Sequence, residues 1–332
     1  MRKRQRHLYT GYFILFIVAL VLFPSISLAF TIISEAQEVE IGRKVDEEVK
    51  KRFGLYEDPE ISSYVDEIGQ RLVAEAEPKS FRYRFQVLDS PEVNAFALPG
   101  GYVYVTRGLL AELNSEAELA GVIGHEIAHV SARHAAKQLT KAFGYQFLAA
   151  AIIIVSPGGP EVASGWAMIT TELFNQILLG YGRENELEAD ELGLRYSFKA
   201  GYDPQEMVTF LRHLRLKQRL QAVEYHPFRA THPEVTERII KADSMAGILA
   251  NGKHGLRIER DSYKARLEGL LFGDKRERKR LQVYTAREGD TLKKVAQEIL
   301  GDEMKAWELA IFNGVKEDTV LKEGQKLKII PK

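Results

Sequence analysis

Three of the chain's eight histidines fall within ten residues in GVIGHEIAHVSARHAAK, Gly121 to Lys137. His125 and His129 are four apart, so on a helix both rings leave the same side and can meet one ion. Glu126 lies about 100° further round, within reach of a water on that ion. Zinc acidifies such a water, and a neighbouring carboxylate can take its proton as it attacks a carbonyl. These are the mechanics of H-E-x-x-H. The competing reading is a helix with histidines on its polar side. Val122, Ile123, Ile127, Ala128 and Val130 argue against it. They predict a buried helix, where two histidines and a glutamate need partners that a metal supplies. The chain has no cysteine. Disulfides and thiol nucleophiles are excluded, and a transition metal must rest on His and carboxylate groups.

A catalytic zinc takes three protein ligands and keeps one position open. His134 is five residues from His129 and turned from the His125–His129 seam, which makes it a supporting or packing residue. ENELEAD is the better source. Glu186 and Asp190 are four apart on one face. Glu186, 57 residues beyond His129, can ligate, and Asp190 can accept the free ring N–H of a ligating histidine and fix its tautomer. Glu184 and Glu188 face elsewhere, toward solvent or salt bridges. Taken alone, this acidic stretch reads equally as a solvated helix face.

The elements that must hold these groups are legible in outline. Ser34 and Gln37 fit a capping box for a helix over 34–53. Asp58-Pro59 opens a second helix, with Ile61, Val65, Ile68 and Leu72 on one face. Phe81, Tyr83, Phe85 and Val87 alternate with polar residues as a half-buried strand. Pro99-Gly100-Gly101 followed by Tyr102–Thr106 predicts a hairpin. Ser115-x-x-Glu118 is a capping box that opens the metal helix, whose Gly121, Gly124 and Ala128 would admit another backbone. Residues 142–155 are apolar but short for a span, so they predict a buried or membrane-touching helix. A long helix crosses 164–199 with a break near Gly180–Gly182. Asp203-Pro204 and Pro233 start two more. The charged run over 273–281 predicts a solvated linker.

Together, NAFALPGGYVYVTRGLL, HEIAHVSARH, ENELEADELG and THPEVTER, in that order, resemble the zinc metalloproteases of the HtpX, BepA and CAAX prenyl-protease type. These are gluzincins, with H-E-x-x-H plus a distal Glu, and the likeness covers roughly residues 35–250. It implies one Zn2+ per chain on His125, His129 and Glu186, with Glu126 as general base and Asp190 behind. It implies that Asn94 and the Pro99–Tyr104 stretch, with Gly100, Gly101 and Tyr102, form the strand beside which substrate lies extended. His232 matches a histidine near the metal. Two roles are open to it: stabilising the oxyanion, or filling the open position and holding the enzyme latent. Arg238 would join that network. Unlike the membrane-embedded relatives, the chain shows no unambiguous span after residue 30. It also lacks the tetratricopeptide repeats of soluble ones.

Residues 283–332 resemble a LysM module, carried by Gly289-Asp290-Thr291-Leu292, Asn313 and Leu321-x-x-Gly324-Gln325-x-Leu327. That likeness implies binding of N-acetylglucosamine glycans, peptidoglycan above all, through Gly289, Asp290, Thr291 and Asn313. The expected fold is α+β. A mainly helical peptidase domain with a small sheet spans 30–270, a linker 271–282 and a small βααβ domain 283–332.

The N-terminus bears on location. Arg2, Lys3, Arg4 and Arg6 precede an apolar run from Tyr12 to Phe23, and Ser27-Leu28-Ala29 fits a cleavage site. This is the layout of a signal peptide over 1–29, the alternative being an uncleaved inner-membrane anchor. Without those residues the chain carries 42 basic against 46 acidic groups, so no nucleic-acid partner is expected. The combined expectation is a periplasmic zinc endopeptidase that degrades misfolded or unassembled envelope proteins and is held to the wall by its LysM module. Two further readings are a non-catalytic chaperone or adaptor with a latent zinc site, and a peptidoglycan hydrolase. Whether 142–180 forms a lid or touches the membrane is left open.

Overall fold

Capping sets where the first helices begin. In this computed structural model, which describes residues 33–141, 165, 167–174, 180–220, 232 and 235–331, helix α1 (Glu35–Phe53) starts at Ser34. Ser34 Oγ accepts from Gln37 N, and Gln37 returns the bond to Ser34 N. Helix α2 (Pro59–Val73) starts at Asp58, which accepts from the amides of Glu60 and Ile61. All the described residues belong to one compact unit, Ile33–Lys332. The basic–apolar segment over 1–29 and the apolar stretch over 142–155 lie outside the described residues. Among the described residues no helix is long and apolar enough to cross a membrane.

The sheet has three strands, β1 (Arg84–Leu88), β2 (Ala95–Leu98) and β3 (Tyr102–Thr106), in the order β1-β3-β2. β1 runs parallel to β3, and β2 is antiparallel to it. The alternation begins at Phe81, but pairing begins only at Arg84. The hairpin turns through Gly100, at φ 79°, a left-handed conformation that glycine adopts without steric cost. A β-carbon there would lie 2.6 Å from the Cα of Val39.

Period two divides the sheet between two cores. Phe85, Val87, Ala95, Ala97, Val103 and Val105 face the main core, shared with α2. Leu88, Phe96, Leu98, Tyr102 and Tyr104 face α1 and the helical residues over 134–141 and 167–174.

Helix α3 (Arg107–Glu112) leads into the metal helix, α4 (Glu116–Ser131), through Leu113–Ser115. Ser115 caps α4 by accepting from Glu118 N at 3.0 Å. The return bond differs from a capping box: the Glu118 carboxylate accepts from Asn114 N, one residue before the cap. Helices α5 (Arg183–Lys199), α6 (Gln205–Leu220), α7 (Val235–Ala250) and α8 (Arg260–Arg266) follow.

The small residues of α4 are where α5 and α6 approach. A β-carbon on Gly193 of α5 would fall 2.7 Å from His125 N and 2.9 Å from Gly124 C. Alanine ordinarily favours a helix interior over glycine by about 1 kcal/mol. At Gly193 the obstacle is backbone, so Gly193→Ala is expected to destabilise by about 1–3 kcal/mol. A urea midpoint equal to or above that of the parent chain would refute this.

The C-terminal module contains β4 (Gln282–Thr285), α9 (Leu292–Val295) extended by a wide turn to Leu300, α10 (Ala306–Phe312) and β5 (Lys326–Ile329). β4 and β5 pair antiparallel over a core of Leu292, Val295, Leu309, Leu321 and Leu327. The whole is α+β, as the sequence predicts. The charged run is exposed over 275–280. Its ends are closed by a Leu271–Arg280 bridge and a bond from Phe272 N to Lys279 O. Buried Arg107 holds this hairpin through the carbonyls of Leu271 and Gly273, while its Nε donates to Asp89.

Candidate metal centre

Four side chains converge in the interior. His125 and His129 project from α4, Glu186 from α5 and His232 from the stretch before α7, all at most 2% exposed. One donor atom from each lies within 4.8 Å of every other. His129 Nε2 is 3.0 Å from His125 Nε2, and His232 Nδ1 is 3.2 Å from the same atom. Glu186 Oε2 is 3.0 Å from His232 Nδ1 and 3.5 Å from His125 Nε2, and Glu186 Oε1 is 3.4 Å from His129 Nε2. Zinc bonds of 2.0–2.2 Å in a tetrahedron separate ligand atoms by roughly 3.3 Å, so the observed spacings suit that ion. Three further atoms are explained by a cation or its water. Neither oxygen of Glu126 accepts a hydrogen bond among the described residues, and Glu186 Oε1 is likewise without one. Such orphans are rare in buried sites.

The ring nitrogens that face away each have a polar neighbour, an arrangement that lets the inward ones act as acceptors. His125 Nδ1 is 2.9 Å from Asp190 Oδ1, within ion-pair reach though short of hydrogen-bond alignment. His129 Nδ1 meets His134 Nδ1 at 2.9 Å, and His134 Nε2 meets Glu188 Oε2 at 3.1 Å. The proton placement consistent with an inward lone pair on His129 runs outward along this chain to Glu188. Burial drives the His129 imidazole well below its ordinary pKa, which favours the neutral form that a ligand needs.

Arg238, wholly buried on α7, organises the rear of the site. It donates twice to Asp190, both at 2.7 Å, and once to the His232 carbonyl. Its Nη1 is 2.9 Å from Glu186 Oε2. Burial opposes ionisation of Glu186, but His232 and Arg238 outweigh it and hold the carboxyl well below its usual range. Burial likewise opposes ionisation of Asp190, and Arg238 brings it down to about 2. Glu126 shows the opposite balance. Burial pushes it up, against His232 and His125, which suits a group that takes up a proton. His232 Nε2 stands 3.4 Å from Glu126 Oε1.

The structure thus brings together His125, Glu126, His129, Glu186 and His232, with Asp190 and Arg238 as positioning residues behind them. The substrate strand needs correcting. Tyr102 lies in β3, the central strand, whose two edges are taken by β1 and β2, so it cannot accept another strand. Gly100 and Gly101 form the turn. Asn94 is buried, and its carbonyl accepts from Thr106 N and Oγ1. The edge beside the metal centre is β2: Ala95 O is 3.4 Å from His232 Nε2, and Ala97–Pro99 share a crevice with His129 and Tyr181.

A second correction concerns glycan contacts. Gly289, Asp290 and Thr291 lie on a solvent-facing loop. Asn313 is 2% exposed. Its amide donates to the carbonyls of Leu309 and Lys328 and accepts from Lys328 N. It braces the module from within.

Sequence reasoning missed Tyr181, and it placed Glu188 in a salt bridge without naming the partner. Glu188 anchors His134. Tyr181 stacks on His129, with ring centroids 4.2 Å apart and planes 21° off parallel. The i,i+2 offset from Glu186 pointed Glu188 away from the metal, and it does face away, toward His134. For Tyr181 the only signal was its place in the Gly180–Gly182 break.

A buried H-E-x-x-H helix completed by a glutamate from a second helix defines a metal-dependent peptidase site. The chain belongs to peptidase family M48, whose family model matches residues 59–246, and the LysM domain model matches residues 284–329. Among its relatives is the beta-barrel assembly-enhancing protease of Escherichia coli (strain K12). The two are 30% identical over 220 residues, 64% of this chain and 45% of that protein. The putative beta-barrel assembly-enhancing protease of Vibrio cholerae is 36% identical over 188 residues, 55% of this chain and 38% of that protein. The mitochondrial metalloendopeptidase OMA1 of Schizosaccharomyces pombe is 33% identical over 189 residues, 54% of this chain and 51% of that protein. The chain spans about half the length of these relatives, or less.

Proposed function

We propose that the chain is a zinc-dependent endopeptidase of the bacterial cell envelope, one ion per chain, acting on unfolded or unassembled proteins. The observation that carries this is Glu126, a buried carboxylate neither of whose oxygens accepts a hydrogen bond among the described residues, beside four convergent donors. His125, His129 and Glu186 hold the ion. When bound, zinc supplies Lewis acidity toward a carbonyl and acidifies a water. Glu126 takes the proton and passes it to the departing amine. Asp190 and Arg238 keep His125 and Glu186 in register.

A substrate chain adds to the free edge of β2, where backbone bonds give affinity with little sequence preference. That suits unfolded polypeptides, and the names of the Escherichia coli and Vibrio cholerae relatives support barrel-assembly proteins among them. The LysM module supports contact with peptidoglycan. The basic and apolar N-terminal segment supports export to the periplasm, with cleavage after Ala29 or retention as an anchor.

Digestion of unfolded casein tests the reading. Activity should vanish with a chelator and return with one equivalent of zinc per chain. Undiminished digestion by verified metal-free protein would overturn it.

One observation favours a resting state. His232 Nδ1 lies 3.0 Å from Glu186 Oε2 and 3.2 Å from His125 Nε2, which makes His232 a fourth donor rather than an open position. On this reading His232→Ala raises peptidase activity. A fall would instead assign His232 to the oxyanion.

A further inference from the structure

Lys328 belongs to β5 of the LysM module, yet its ammonium lies outside that module's core. The residue is fully buried. Nζ donates to Ala111 O at 2.6 Å, Glu112 O at 3.1 Å and Leu113 O at 2.8 Å. These are carbonyls at the C-terminal end of α3, where a helix leaves acceptors unpaired and its dipole favours a cation. The Phe312 ring lies 4.4 Å from the ammonium, and Asn313 fixes both backbone groups of Lys328.

Other contacts seat the same strands. Lys326 N donates to Asp261 at 2.9 Å, Val283 N to Glu268 at 2.7 Å, and Lys264 Nζ to Lys326 O at 3.3 Å. Val283, Phe312 and Ile330 pack against the peptidase core. Phe272 meets the Phe312 ring edge-on at 5.7 Å.

The receiving segment joins α3 to the metal helix. Asn114 stands so close to Gly314 that a β-carbon there would lie 3.0 Å from its Nδ2. Ser115 caps α4 and donates to Glu206 at 2.9 Å. The LysM module therefore abuts the loop from which the His125–His129 helix begins.

We propose that Lys328 makes the LysM module a fixed part of the peptidase fold, which secures the end of α3 with the 113–115 turn, and with it the start of the metal helix. A module tethered only through a linker would have no need of a buried lysine spent on another domain's helix end. The inference does not depend on the chain's activity.

Hydrogen exchange on the full chain tests it. Methionine matches the length of Lys328 but donates nothing. In Lys328→Met, amides over 111–119 should exchange at least tenfold faster while those over 292–300 keep their protection. The exposed control Lys322→Ala should move neither. Unchanged exchange over 111–119 in Lys328→Met overturns the proposal. If that variant does not fold, the parent chain decides in a urea series. The two segments should open together with one denaturant slope. Opening of 292–300 at lower urea, with 111–119 still protected, overturns it.

Discussion

Glu126→Gln should lower peptidase kcat/KM by about 10³-fold, within the 10²–10⁴ that general base catalysis contributes, and should leave the metal bound. The amide matches the carboxylate in size but cannot take up a proton. The donors that converge on the metal position, on His125, His129 and Glu186, are separate atoms, so stoichiometric zinc should survive. Folding should not suffer either, because Glu126 accepts no hydrogen bond among the described residues and burial already disfavours its charge. The measurement is turnover of an unfolded substrate alongside metal content. Retained zinc with activity within roughly threefold of the parent would remove Glu126 from the mechanism. Lost zinc would instead place Glu126 among the ligands.

Arg238→Ala should cost about 3–5 kcal/mol of stability, the usual consequence of removing one partner from a buried ion pair. Asp190 and Glu186 would keep their burial and lose the guanidinium that holds both carboxyls low. Zinc affinity should also fall, by about 10- to 100-fold, because Asp190 supports His125 and Arg238 supports Glu186. Arg238→Lys should recover only part of this, since an ammonium cannot reproduce the two bonds of 2.7 Å to Asp190. Urea denaturation of the metal-free chain separates the stability loss from the metal effect. A change below about 0.5 kcal/mol, typical of an unstrained surface site, would show that Arg238 is not the hub its contacts suggest.

Much of the metal centre was legible because helical spacing is local. His125 and His129 share a face through the 3.6-residue period wherever the helix lies. Glu186 and Asp190 are related in the same way. The caps at Ser34, Asp58 and Ser115 were legible for the same reason, since each bond joins residues two or three apart. Where the capping box failed, at Glu118, the carboxylate found Asn114 N one residue earlier, a choice made by the turn after α3.

Spacing could not assign the substrate edge. Tyr102–Thr106 has the stronger β composition, but the parallel partner β1 comes from residues before the hairpin and claims that strand's other edge. β2 is left at the edge beside His232. Asn313 misled in the same way: an asparagine in the LysM motif looks like a ligand until its neighbours in space take up its amide. Tyr181 and Glu188 gained their places from how α5 lies against α4, which close contact at Gly193 and Gly124 permits.

By itself, then, the sequence determined the metal chemistry, a cysteine-free H-E-x-x-H helix and a distal glutamate with its supporting aspartate, and the presence of a C-terminal LysM module. These depend on residue type and on periods of a few residues. The tertiary structure alone decided which strand edge is open, that Arg238 joins Asp190, Glu186 and the His232 backbone, and that Lys328 crosses from the LysM module to the end of α3. Apart from the bond between Arg238 and the His232 carbonyl, six positions apart, those choices join residues tens to hundreds of positions apart. They are set by which buried charges and unpaired backbone groups must find partners once the chain has closed around them.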